Sequence, residues 1–65
     1  MNRQILILGL MHYKKQFKNR PDIVSDVAWR TVCKAIRDTK TDDIAESMFR
    51  IFVGAVMASV NHDIL

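Results

Sequence analysis

The residues best suited to chemistry in this chain are seven cations in two groups, and the chemistry they suit is the capture of anions. Lys14, Lys15, Lys18 and Arg20 stand together in a stretch, residues 1–20, that holds five basic residues and no acidic one. Arg30, Lys34 and Arg37 come next at four- and three-residue spacing, which on a helix places them on one face. The formal net charge is only +3, but residues 21–65 hold five basic and seven acidic residues, so the positive potential gathers towards the front of the chain. Such a distribution favours nucleic acid, nucleotides or an acidic protein surface as partner. A solvated-face reading competes with it. Asp26 lies four residues before Arg30 and Asp38 four after Lys34, so both cations can be paired along their own helix.

Catalytic chemistry has little to stand on. His12 and His62 lie near opposite ends of the chain, and neither has a serine, cysteine or carboxylate at the spacing of a nucleophile and its base. The run Asn61-His62-Asp63 offers a His-Asp pair without the further ligands a metal-dependent hydrolase uses. One cysteine and two distant histidines do not make a zinc site within one chain. Gly9 and Gly54 are isolated, so there is no glycine-rich phosphate loop. The chain is expected to be no enzyme and to hold no metal or cofactor. Trp29 beside Arg30 has the composition of a base-stacking platform, although a tryptophan on the apolar side of an amphipathic helix is ordinarily core. Tyr13 is expected in the core with its hydroxyl at the rim.

For the elements that hold these residues, the pattern predicts an all-α, single-domain chain over residues 1–65, with helices over about 3–18, 21–38 and 42–61. In the first, Leu6, Leu10, Tyr13 and Phe17 share a face, while Ile5, Leu8 and Met11 lie elsewhere. Pro21 within a polar stretch marks the break, since proline suits a first helical turn and Asp22 then meets the helix dipole. In the second helix Val24, Ala28, Trp29, Val32, Ala35 and Ile36 gather on one side with Cys33 at the edge. Ile23 and Val27 are expected outside. Thr41, Asp42 or Asp43 can cap the third helix, Asp43 with Glu46 having capping-box spacing.

The third helix is apolar almost all the way round. Ile44, Ala45, Met48, Phe49, Ile51, Phe52, Val53, Ala55, Val56, Met57 and Val60 cover most of its circumference. A chain of this size buries only about 60% of the surface its unfolded form exposes. The expectation is therefore a helical hairpin plus a central third helix that assembles, with other copies, into a homo-oligomeric bundle. Its shared core would be Ile44, Met48, Phe49, Ile51, Phe52, Val53, Gly54, Ala55, Val56 and Met57. The small residues Gly54 with Ala58, and Ala55 with Ser59, would let backbones approach closely.

Cys33 is the sole cysteine, so no intrachain disulfide is available, which points to a reducing compartment and a cytoplasmic protein. Neither the apolar run Ile5–Met11 nor the stretch Phe49–Val60 is expected to be a secretion signal or a membrane span. The function these features fit is a non-catalytic, oligomeric binding or sequestration protein. It would capture an anionic partner, either an acidic surface of a host protein or a nucleotide held between subunits, through Lys14, Lys15, Lys18, Arg20, Arg30, Lys34 and Arg37. In size and character, though without a shared motif, such a chain resembles the accessory inhibitors of phages and mobile elements. The alternatives are a small basic DNA-binding regulator, helix-turn-helix or nucleoid-type, and a structural assembly adaptor.

Overall fold

The computed structural model describes residues 2–64, and the side chains of residues 2–62. Three helices account for most of them: α1 (Arg3–Gln16), α2 (Asp26–Asp38) and α3 (Asp42–Ile64). Each helix touches both of the others. No described helix is long and apolar enough to cross a membrane.

Local chemistry sets each start. Asn2 is extended and its side chain accepts from the Gln4 N–H at 2.7 Å, an N-cap for α1. Thr41 is the residue that caps α3, its hydroxyl accepting from the Ile44 N–H at 3.2 Å. Asp42 and Asp43 fall within the first turn, where their charge meets the positive end of the helix dipole. The second helix departs from expectation. It begins at Asp26 and not at Pro21, with Ser25 as its N-cap: the Ser25 hydroxyl accepts from the Ala28 N–H at 3.2 Å. Pro21 does open a helical turn, but only one, in which the Arg20 carbonyl accepts from Ile23 and Val24. The chain then bends so that Val24 enters the core and Ile23 packs on it. Ile23 is thus inside, against the expectation, whereas Val27 stays out at 70% exposure.

The core is Leu6 and Leu10 from α1, Val24 from the connection, Trp29 and Ile36 from α2, and Ala45 and Val56 from α3. Tyr13, Phe17, Met48, Phe49, Phe52 and Val53 pack around it. Trp29 meets Phe52 edge-on, with ring centroids 5.2 Å apart, an arrangement that adds to simple burial. Arg3 ties the end of the bundle: it donates to Asp42 at 2.9 Å and to the Arg37 carbonyl at 2.9 Å, joining α1, the C-terminus of α2 and the start of α3.

Part of the residue set expected to form a core between copies is covered within the single chain. Val56 is buried within its own chain, and Met48, Phe49, Phe52 and Val53 pack on that same core. Within the single chain both α1 and α2 pack on α3, and residues 21–25 line a hollow beside Phe52 and Val56. What remains uncovered is Ile51, 73% exposed, with Ile44, Gly54 and Ala55.

The two glycines differ. A methyl group on Gly9 would lie 3.2 Å from the Phe49 ring, so α1 and α3 approach closely there. Gly54 faces open space, so within the chain it permits no close packing. Gly54→Ala is therefore expected to stabilise the protein by about 1 kcal/mol, the helix-propensity difference. Gly9→Ala should gain less, because the ring must give way. Thermal melts of the two variants check this, and a loss of stability in Gly54→Ala would mean that something packs on that face.

Candidate anion-binding groove

Antiparallel packing of α1 against α2 brings the two cation groups to one place. Lys14, Lys15 and Lys18 form one bank of a groove of about 850 Å³; Arg30, Lys34 and Arg37 form the other. Met11, Trp29, Cys33 and Asp38 also line it. Six of the seven expected residues thus converge. The seventh, Arg20, does not: it lies in the connection, where it donates to both carboxylate oxygens of Asp22 at 3.1 and 2.9 Å. That contact holds the Asp22 carboxyl below its ordinary 3.8.

One end of the groove is partly neutralised. Asp26 sits between the banks, 3.3 Å from Lys14 and 2.6 Å from Arg30. The Lys14 ammonium first, and then the charge of Arg30, hold its carboxyl below the ordinary 3.8. A lowered pKa in the folded state means that this contribution to stability is present above 3.8 and is lost as the pH falls through the lowered value. Because the group is exposed, the contribution is small and screened by salt. In low-salt melts at falling pH, Asp26→Asn should show a shallower acid loss than wild type. An identical acid limb would show that the bridge adds nothing.

The expected pairing of Lys34 with Asp38 is absent. Among the described residues Lys15, Lys18, Lys34 and Arg37 make no side-chain ion pair. These four cations keep their charge available for a ligand. Trp29 is core, 3% exposed, and presents no face for stacking. Tyr13 packs on the core as expected.

Four lining residues, Met11, Trp29, Cys33 and the carboxylate Asp38, lie outside the set expected to bind. For Met11 the signal is its spacing: it stands three residues before Lys14 and four before Lys15, so it shares their strip on α1. Cys33 lies opposite, half-buried, and only the packing of the two helices turns it to the groove. Elsewhere His12 is within 3.2 Å of Gln16, and His62 lines a separate hollow with Asp22 and Ser59. The Asp63 side chain lies outside the described residues. Among the described residues no three His, Cys, Asp or Glu side chains cluster as metal ligands. No family model matches the chain, and no curated protein or solved structure matches it.

Proposed function

We propose that the protein is a non-catalytic binding protein that captures an anionic partner in the groove between α1 and α2. The observation behind this reading is the convergence of two cation groups, distant in sequence, on one concave surface where four of the cations are unpaired among the described residues. Clustered cations in a concave surface focus a positive potential that raises the local concentration of anions. Sequestration of the partner, in the manner of a small inhibitor, is the role such a chain would fill. A cytoplasmic setting, where Cys33 stays reduced, is part of the same proposal.

Self-association belongs to it in a reduced form. The seat for a second copy would be the face of Val32, Ala35, Met48, Ile51, Phe52 and Ala55 across α2 and α3, not the whole circumference of α3. Ile51→Glu should leave the fold intact, since the side chain is already in water, and should convert any oligomer to monomer by light scattering. An oligomer of unchanged mass in Ile51→Glu would remove this face from the proposal. A DNA-binding role has less support, because the cations line a furrow and are not presented on a projecting helix that could enter a major groove.

The direct test is fluorescence anisotropy with labelled poly-glutamate, and poly-glutamine as the neutral control. The expected result is poly-glutamate binding that weakens with added salt, and no poly-glutamine binding. If neither poly-glutamate nor any anionic polymer of another backbone binds at low salt, the groove is an ordinary solvated surface.

A further inference from the structure

If the groove is a binding site, as proposed above, its lining also discriminates between classes of anion. Nucleotides and single-stranded nucleic acids present flat bases beside their phosphates, and proteins hold those bases on exposed aromatic faces. The aromatic residue of this groove is Trp29, 3% exposed and engaged with Phe52. A base entering the groove would find no platform.

What it would find is an apolar floor between cationic banks. Met11 is 56% exposed and Cys33 half-buried. The aliphatic stems of the lysines and arginines add to this floor while their charged ends stay in water. Leu8 extends the strip, since Leu8, Met11 and Lys15 succeed one another at i, i+3 and i+7 on α1, and Leu8 is also exposed. From Leu8 to Lys15 the strip runs about 10 Å along α1, and Lys18 stands just past the helix end. A methionine floor is adaptable to the shape of apolar side chains. The complement of such a surface is a helix of about three turns, with apolar residues in one stripe and carboxylates along both flanks. Helix-in-groove recognition reads such a stripe through its i, i+3, i+4 and i+7 anchors.

The geometry points to an acidic amphipathic helix of a partner protein as the ligand of the α1/α2 groove. Its apolar stripe rests on Leu8, Met11 and Cys33. Its carboxylates meet Lys15 and Lys18 on one bank and Lys34 and Arg37 on the other. Lys14 and Arg30, already shared with Asp26, close the end.

The experiment uses a labelled helical peptide of about 14 residues, roughly 21 Å long, with leucines in a single stripe and glutamates on both flanks. The controls are a scrambled peptide of the same composition, labelled poly-glutamate, a short DNA duplex and an oligo-thymidine strand. The striped peptide is expected to bind at least about tenfold more tightly than the scrambled one. It should also slow alkylation of Cys33, the only thiol in the chain. Met11→Ser should weaken the striped peptide and leave poly-glutamate unaffected. Equal binding of striped and scrambled peptides, or tighter binding of either DNA, overturns the helix proposal. In those cases, abolition of the binding by Lys15, Lys18 and Lys34→Glu preserves the anion-groove reading. If that triple variant leaves the binding of every probe unchanged, both readings fall.

Discussion

Trp29→Ala is expected to unfold the protein. Trp29 is 3% exposed, stands edge-on to Phe52 and lies where the α2 face meets the packing of α3. Truncating a buried aromatic to alanine costs roughly 3–5 kcal/mol through lost burial and the cavity left behind. A single core in a chain of this length supplies only about 3–5 kcal/mol in total. The two quantities are of the same size, so the folded population collapses. The far-UV circular dichroism of Trp29→Ala should lose most of its helical signal and its cooperative melt. Val27→Ala, at an exposed site on the same helix, should melt within about 0.5 kcal/mol of wild type. Retention of a wild-type melt in Trp29→Ala would show that the three helices are not held by the core described above.

The same contact changes how a charge in α3 must be read. Phe52→Asp looks from sequence like a probe of association between copies. In the structure it sets a carboxylate against the Trp29 ring inside one chain, where an unpaired charge is strongly disfavoured. The variant should unfold whether or not copies associate, so its mass reports nothing about assembly. Ile51, which touches water, is the position that separates folding from association.

Helix content and the cation groups are legible in the sequence because both are written at short range, in 3.6-residue periodicity and in local charge spacing. Thr41 as a cap and the off-core placement of Leu8 and Met11 are of this kind. The role of the connection between α1 and α2 is not legible. Pro21 and Ser25 are both valid start signals, four residues apart, and what decides between them is the burial of Val24 and Ile23 against a helix some thirty residues further on. That choice, in turn, places the connection beside α3 within its own chain. The position of Asp26 is half visible. Its pairing with Arg30 is set by helical spacing, whereas its contact with Lys14 depends on how α1 and α2 face each other.

The bridging role of Asp26 determines which lysines to reverse. Lys14 is a poor choice, since Lys14→Glu would place a carboxylate against Asp26 and disturb the packing of α1 on α2 along with the site. Lys15, Lys18 and Lys34 are exposed and make no ion pair among the described residues. Their joint replacement by glutamate should leave the helical signal and the melt close to wild type, since such surface changes usually fall within about 0.5 kcal/mol each. Each exchange removes one positive charge and adds one negative, so three exchanges take the formal net charge from +3 to −3. At the groove the change is from attraction to repulsion at three points. At about 1 kcal/mol for each exposed contact, the expected loss of affinity for poly-glutamate is about a hundredfold. The salt dependence should go with it, and the variant should acquire affinity for poly-lysine that wild type lacks. A folded triple variant that still binds poly-glutamate with wild-type affinity would place the anion site away from this groove, because three of the four cations that make no ion pair there among the described residues would have been reversed.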